Sequence, residues 1–131
     1  RHDEMQAAVL RARLPRLAAW TRPRRALAAR YRQQLAGANV RVPRQLDPGH
    51  VYHLFPVLAA DRDALQSRLR DAGVETLIHY PVALPDQPAL AGASPAPCPV
   101  AASIAASVLS LPLHPALTTD EVDSVSRLIR N

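Results

Sequence analysis

The chain has 131 residues, 48% of them apolar, and a formal net charge of +5 from sixteen cationic and eleven acidic side chains. This length favours one domain with a hydrophobic core, and no apolar run approaches the roughly 18 residues of a membrane span. Every cation is an arginine, so no side-chain amine can form a Schiff base with an aldehyde, and Cys98, the one cysteine, excludes an internal disulfide. The polar residues 1–6 predict no signal peptide, and we expect a cytoplasmic location.

The positive charge is concentrated in the first third of the chain. Residues 1–44 carry eleven arginines against Asp3 and Glu4, a net of +9, whereas residues 45–131 carry five arginines against nine acids, a net of −4, which together give +5. A basic half is one signature of proteins that bind nucleic acid or another polyanion. Arginine without lysine, in a chain rich in alanine and proline, is also what a genome-wide codon bias produces.

The first predicted element is a long helix from Asp3 to Leu35. Apolar residues recur along it at spacings of three and four, and Gly37 supplies the stop. Pro15 and Pro23 fall inside the pattern, and each removes an amide donor, so we expect a kink or a short break near both. The pattern fits one bent helix or two helices in tandem.

Two strands and a helix are predicted in the middle of the chain. Residues 51–59 form an apolar run typical of a strand covered on both faces, in which Pro56 indicates an edge position or a bulge. Asp61 then caps a helix that ends at Gly73 and whose apolar side is formed by Leu65, Leu69 and Ala72. The second predicted strand covers residues 74–80.

The C-terminal third is predicted to contain a loop, a helix, a strand and a final helix. A proline-rich loop covers residues 84–97, a small-residue helix begins near Val100, and a short strand lies at 108–111. Thr118 and Glu121 form a capping box for the last helix, whose apolar stripe is Val122, Val125 and Ile129.

The order of these elements indicates an α/β fold, more exactly an α+β small domain in which a three-stranded sheet is covered by helices. We expect residues 1–37 to form a long, kinked linking helix and residues 38–131 to form the small α/β domain. Four helices exceed what one face of three strands needs. The first helix is therefore expected to lie across one sheet edge or to pack on another chain.

Four segments, taken in order, resemble a known enzyme family. They are RHDEMQAAVLRARLPRLAAWTRPRRALAARYRQQL, VYHLFPV, DRDALQSRLRDAGVETLIHYP and VLSLPLHPALTTDEV. They resemble the C-terminal portion of the DegT/DnrJ/EryC1/StrS sugar aminotransferases, which are pyridoxal-phosphate (PLP) enzymes of the aspartate-aminotransferase fold acting on nucleotide-linked keto-sugars. The resemblance implies that the catalytic large domain, with the cofactor cradle and the Schiff-base lysine, would precede Arg1 and is absent, so that PLP serves the intact enzyme and none is expected on this chain.

The resemblance also implies candidate site residues. His79, Tyr80 and Pro81 match a motif that lies at the family's active-site face and helps to hold the sugar or its nucleotide, so His79 and Tyr80 are the candidate substrate-binding residues. Arg1 matches the surroundings of an asparagine that reaches the cofactor phosphate of the neighbouring subunit, and it is the candidate cofactor-binding residue. The chain departs from the family just after the motif, with a Pro-Asp pair at 85–86 where many members have a histidine.

The histidines also have structural explanations. A His-Tyr pair at the end of an apolar strand is commonly a half-buried, hydrogen-bonded cap. His53 shares a strand face with apolar residues and is predicted to be a core histidine, and His114 fits a turn before the last helix. No spacing of the five histidines is typical of a zinc site, so no metal ligand is predicted, and no catalytic residue is assigned to this chain.

We therefore expect the C-terminal domain of a PLP-dependent nucleotide-sugar aminotransferase, which contributes substrate-side and dimer contacts and is inactive alone. Its expected partners are the missing N-terminal large domain, a second copy in a homodimer and, in the intact enzyme, the nucleotide-sugar substrate, with no membrane. The alternative is a stand-alone interaction or regulatory module whose basic helix binds nucleic acid. A further possibility is an assembly role, with the contact on the side of the first helix that carries Met5, Val9 and Ala12.

Overall fold

The computed structural model describes residues 3–93 and 95–131 of the chain. The helices and strands of these residues are α1 Glu4–Arg13, α2 Leu17–Gln34, β1 Phe55–Leu58, α3 Arg62–Asp71, α4 Pro99–Ser107, β2 Val108–Leu111 and α5 Thr119–Arg130. Short 3-10 turns lie at Leu14–Arg16, Leu84–Asp86 and Pro88–Ala93. The predicted class is confirmed, because a long N-terminal helical stretch precedes a small sheet covered by helices.

The N-terminal helical stretch is divided at Pro15 but not at Pro23. The 3-10 turn that contains Pro15 separates α1 from α2, as predicted, whereas α2 continues through Pro23. Pro23 removes the hydrogen bond that would reach the carbonyl of Ala19, four residues earlier. Since Ala19 is exposed, water can satisfy that carbonyl, and the helix tolerates the proline.

The sheet is a two-stranded antiparallel ladder in which β1 pairs with β2 over four positions. On the outer side of β1, the Leu58 amide donates to the Arg41 carbonyl at 2.9 Å. Pro56 stands two residues before Leu58, so its nitrogen faces the same side, away from β2. The missing N–H of Pro56 therefore costs no bond of the ladder, which explains how a proline lies inside a strand.

The predicted strand over residues 74–80 is not formed as a strand. The segment meets β2 at one bridge, where Leu77 and Ser110 exchange backbone hydrogen bonds of 3.2 and 2.8 Å. Tyr80 then leaves the extended region, with φ 48°. Because the segment does not continue the ladder beyond this bridge, the sheet has two strands rather than the predicted three. The segment still covers the core, against which Val74 and Ile78 pack.

The predicted strand over residues 51–59 is shorter than expected, since β1 begins at Phe55. Tyr52 adopts a left-handed conformation with φ 52°, and its amide donates to His50 Nδ1 at 2.9 Å. This turn places His53, the next residue, outside β1. His53 is exposed, so the prediction that it is a core histidine on a face of β1 is wrong.

The core is centred on the ring of Tyr31 in α2. This residue is fully buried, and its ring stacks on that of Phe55 with 4.9 Å between centroids. The Tyr31 hydroxyl donates to the Pro112 carbonyl at 3.1 Å. Burial, with a smaller effect from Glu121, raises the pKa of this phenol. Helices α2, α3 and α5, with the C-cap residue of α2, complete the core with the buried side chains of Leu27, Leu35, Leu65, Leu69, Val122, Val125 and Ile129.

The predicted capping box of the last helix is confirmed. Thr118 Oγ1 accepts the Glu121 amide at 3.3 Å, and the Glu121 carboxylate accepts the Thr118 amide at 2.7 Å. The hydrogen bonds that the Glu121 carboxylate accepts from the amide and the hydroxyl of Thr118 lower the pKa of Glu121. The predicted apolar stripe of α5 is buried at Val122, Val125 and Ile129.

A polar contact joins α2 to α5 at the rim of the core. Arg30 Nε donates to Asp123 Oδ1 at 2.7 Å, and the second guanidinium nitrogen binds the other carboxylate oxygen. Gln34 donates to the same carboxylate at 3.3 Å. The hydrogen bonds from Arg30 are the main cause that lowers the pKa of Asp123.

Large-to-small changes in the core should strongly destabilise the fold. Leu65→Ala and Ile129→Ala, at residues only 6% and 3% exposed, are each expected to lower the free energy of unfolding by about 2–5 kcal/mol, because each leaves a cavity. Chemical denaturation measures the change. Val100→Ala, at a residue 72% exposed on α4, is the control and should cost less than about 0.5 kcal/mol. Losses below about 1 kcal/mol in both core variants would contradict this account of the core.

The α2–α5 ion pair predicts a specific loss of stability in acid. Because the folded-state pKa of Asp123 lies below its ordinary value of 3.8, the stabilisation is present above that value and is lost as the pH falls through the folded-state pKa. Asp123→Asn is therefore expected to be less stable than the parent at pH 7, with a difference that shrinks as the pH approaches 2. Thermal or urea unfolding across this range measures it.

Arg30→Met is the matched control for this prediction, since it removes the guanidinium and keeps an unbranched side chain. In the Arg30→Met background, Asp123→Asn should change the acid dependence much less, because only the smaller effects of Arg127 and Gln34 on the carboxylate remain. An undiminished effect of Asp123→Asn in that background would show that the carboxylate acts through another partner.

Candidate functional site

The predicted substrate-binding residues lie at the outer edge of β2. The bridge between Leu77 and Ser110 anchors their segment to the sheet. His79 is half-buried, and its Nδ1 lies 2.9 Å from Ser110 Oγ. Tyr80 is 80% exposed and takes its left-handed conformation directly before Pro81. The edge of the sheet therefore presents an imidazole held against the strand and a phenol that projects outward.

A groove of about 680 Å³ opens beside this segment, between β2 and the first turn of α5. His79 and Ser110 line it from the sheet, and Asp120 and Glu121 line it from the helix. Apolar side chains, which include those of Leu111, Leu113 and Leu117, form much of the remaining wall. A concave apolar surface with a few converging polar groups is typical of a small-molecule site.

Two further histidines stand near the groove. His53 and His114 line both this groove and a second one of about 560 Å³, which Trp20 of α2 also lines. The Arg13 guanidinium lies over the Trp20 ring, 5.2 Å from its centroid. The His114 carbonyl accepts the Leu117 amide at 3.1 Å, which confirms the predicted turn before α5.

The remaining predictions for sites concern Arg1 and metal ions. Arg1, the candidate cofactor-binding residue, lies outside the described residues. Residues 3–93 and 95–131 contain no group of three His, Cys, Asp or Glu side chains that could hold a metal ion. Within the same ranges, none of the helices combines the length and the apolarity that crossing a bilayer requires. Cys98 is a free, exposed thiol.

Arginines of α2 bind the loop that leads to β1. Arg25 donates to the carbonyls of Gly49 and His50, both at 2.9 Å. Arg32 donates to the Pro43 carbonyl at 2.7 Å. Like Arg30 in its pair with α5, these guanidinium groups are engaged by the chain itself, so much of the basic charge of α2 serves the fold.

Ser110 is the residue of this site that the sequence analysis did not single out. It is 5% exposed and stands in a strand whose other members are apolar. The only signal was the serine itself, a polar residue inside the run Val108-Leu109-Ser110-Leu111. Its contact with His79 joins residues 31 positions apart, which no local pattern reports.

Helix α1 presents an apolar surface that the described chain leaves uncovered. No residue of α1 is buried. Large apolar side chains on α1, in the following 3-10 turn and at the start of α2 are each at least half exposed, namely those of Met5, Val9, Leu10, Leu14 and Leu17. Contiguous exposed apolar surface is typical of a contact with another domain or chain.

Comparison with known proteins decides the family. Residues 1–130 match the DegT/DnrJ/EryC1/StrS aminotransferase family. The chain belongs to this family. The resemblance of the four sequence segments is thereby confirmed.

Characterised members of the family are similar over nearly the whole chain. The dTDP-3-amino-3,4,6-trideoxy-α-D-glucose transaminase of Streptomyces venezuelae is 45% identical over 134 residues, which cover 99% of this chain and 35% of that enzyme. The erythromycin biosynthesis sensory transduction protein EryC1 of Saccharopolyspora erythraea is 43% identical over 130 residues, which cover 95% of this chain and 35% of that protein. The chain thus spans about a third of the length of the relatives it matches.

Solved structures of the family have the same fold over the same part. DesV of S. venezuelae, crystallised in complex with a ketimine intermediate, superposes with a TM-score of 0.92 at 44% identity, over 99% of this chain and 36% of DesV. A family member from Brucella abortus superposes with a TM-score of 0.87 at 33% identity, over 99% of this chain and 35% of that protein. Enzymes of this family use PLP, and NtdA of Bacillus subtilis was crystallised with bound cofactor PMP.

Proposed function

We propose that this chain is the C-terminal domain of a PLP-dependent nucleotide-sugar aminotransferase and that it contributes contacts to the substrate and to the dimer. The observation that carries the proposal is the family match over residues 1–130, in a chain that spans about a third of the relatives' length. Residues 1–37 would be the linking helix, and residues 38–131 the small domain. The N-terminal large domain of the family would be its partner.

The chain alone would not be catalytically competent. When bound, PLP serves as an electron sink that stabilises negative charge on the carbon bearing the amino group. It is attached to its enzymes through a lysine amine. All sixteen cations here are arginines, and none of the four glycines stands in a G-x-G phosphate loop. The residues of this chain therefore do not fit covalent attachment of the cofactor, and that part of the site would belong to the large domain.

His79 and Tyr80 would form the substrate-side surface. The half-buried imidazole and the exposed phenol stand at one edge of the sheet, beside a groove whose walls are largely apolar. The names of relatives include enzymes of dTDP-linked and of UDP-linked sugars, which supports a nucleotide-linked keto-sugar as the substrate class. The engagement of the α2 arginines by the chain's own carbonyls gives no support to the alternative of a nucleic-acid module.

The test of the substrate role is a chimera. Residues 1–131 replace the matching 35% of the S. venezuelae transaminase, and turnover of its dTDP-linked sugar is measured with added PLP. We expect the chimera to be active and the chain alone to be inactive. In the chimera, His79→Ala should lower kcat/KM by about tenfold to a hundredfold, as the loss of a hydrogen bond to substrate implies. The melting temperature should fall much less, because the space left by the ring opens to the groove, where water can accept a hydrogen bond from the Ser110 hydroxyl.

His50→Ala is the control, because it removes an imidazole that is held in the loop before β1 and does not line the groove. It should leave kcat/KM near the value of the unmodified chimera. Equal losses of stability and activity in His79→Ala would mark His79 as a core residue and end the binding role. PLP absorbance of each variant shows that the large domain is folded.

The dimer role makes a prediction about the chain alone. Because α1 exposes Met5 and Val9 on one side, the chain is expected to self-associate at tens of micromolar in light scattering coupled to size-exclusion chromatography. Met5→Glu together with Val9→Glu should give a monomer, whereas Arg11→Glu, on the polar side of α1 that also carries Glu4, should not. A monomeric parent at these concentrations contradicts the contact assigned to α1.

A further inference from the structure

Two serines are the buried polar residues of the described chain, and their hydroxyl groups have different partners. Ser126 is 1% exposed, and its hydroxyl donates to the Val122 carbonyl at 2.7 Å within α5. Ser110 is 5% exposed, and its Oγ lies 2.9 Å from His79 Nδ1. The second contact links the sheet to a residue that faces the groove.

The bridge between Leu77 and Ser110 makes this contact a fixed feature of the sheet edge. Both backbone hydrogen bonds of the bridge are formed. His79 follows Leu77 by two residues, so it is the diagonal neighbour of Ser110 on the same face, within reach of a long side chain. Two contacts therefore fix the position of the imidazole. One is the backbone register of the bridge, and the other is the Ser110 hydroxyl at hydrogen-bond distance from Nδ1.

The number of hydrogens that the Ser110 hydroxyl and the imidazole can share indicates which ring nitrogen of His79 carries the proton. A serine hydroxyl has one hydrogen to donate, and each nitrogen of a neutral imidazole either donates or accepts. Among the described residues, His79 Nδ1 is the one hydrogen-bond partner of Ser110 Oγ. If Nδ1 carried the proton, no acceptor among the described residues would remain for the hydroxyl hydrogen, whereas a hydroxyl that donates to Nδ1 is satisfied within the chain. The second arrangement places the ring proton on Nε2.

We propose that Ser110 is a positioning residue that holds neutral His79 as its Nε2–H tautomer, so that His79 offers a hydrogen-bond donor to an oxygen atom of the ligand in the groove. The part about the ligand rests on the proposed function, and the acceptor would be a hydroxyl, carbonyl or phosphate oxygen of a nucleotide-linked sugar. The tautomer itself is a property of this chain without any ligand. The facing wall of the groove, at the first turn of α5, carries the carboxylates of Asp120 and Glu121, which offer acceptors where His79 offers a donor.

The test is nitrogen NMR of the chain labelled with ¹⁵N-histidine. Long-range ¹H–¹⁵N correlations assign each ring nitrogen as protonated or unprotonated, and His79→Gln identifies the signals of His79. Spectra are recorded at a pH where the ring carbon shifts show that the imidazole is neutral. The parent is expected to show an unprotonated Nδ1 and a protonated Nε2 at position 79.

Ser110→Ala should move the Nδ1 signal of His79 toward the protonated value, because a ring without a fixed partner exchanges between tautomers. Ser110→Thr, which keeps a hydroxyl, should restore the parent spectrum. Ser126→Ala is the matched control, since it removes the other buried hydroxyl, and it should leave the signals of His79 in place.

Two results would overturn the proposal. One is a parent spectrum with the proton on Nδ1, which needs no variant to fold. The other is a His79 spectrum that Ser110→Ala leaves unchanged. Since these measurements use no substrate, an Nε2–H tautomer together with a fully active His79→Ala chimera would contradict the proposed binding role and keep the positioning by Ser110.

Discussion

The fold depends on one buried aromatic contact, the stacking of Tyr31 on Phe55. Tyr31 belongs to α2 and Phe55 begins β1, so the stack fixes α2 to the sheet. The hydroxyl of the same tyrosine reaches the Pro112 carbonyl, just after β2. One side chain of α2 thus contacts two other parts of the chain that lie far from it in sequence. Aromatic pairs of this kind add to the stabilisation from buried area, and a buried phenol needs the partner that Pro112 supplies.

The elements that the sequence predicted well are those whose signals are local. The Thr118–Glu121 capping box, the Asp61 cap of α3 and the break at Pro15 are each specified within a few residues, and the structure contains all three. Such signals act through hydrogen bonds and dihedral angles of neighbouring residues. They require no knowledge of what the helix packs against.

The strands were predicted less well because pairing is not local. Residues 74–80 have the apolar character of a strand, yet their backbone pairs with β2 at a single bridge. The left-handed conformation of Tyr52 removed His53 from β1, and no glycine or asparagine marked that turn. The partnership of His79 with Ser110 was equally invisible, since it depends on the register of two segments. The motif at 79–81 was found through family resemblance, while the geometry that holds His79 came from the structure.

Arginine in place of lysine suits the way in which α2 holds the following loop. Arg25 reaches two successive carbonyl groups with two nitrogens of one guanidinium, and Arg32 reaches a third carbonyl from the next turns of the helix. A planar group with several donors in fixed directions can bridge neighbouring acceptors, whereas an ammonium group is a single rotating point. The arginines that concentrate positive charge in the first third of the chain thus include those that hold the loop over residues 43–50.

The left-handed conformation of Tyr80 bears on local unfolding at this edge of the sheet. A non-glycine residue in that region costs about 1–3 kcal/mol, which is recovered when the segment detaches. Only the two bonds of the Leu77–Ser110 bridge tie the segment's backbone to β2, whereas β1 is bound over four positions. In hydrogen exchange, the amide of Leu77 would therefore open before those of Phe55 and Val57. The surface that carries His79 and Tyr80 is the part of the sheet that separates first, as is common where a protein has to accommodate a partner.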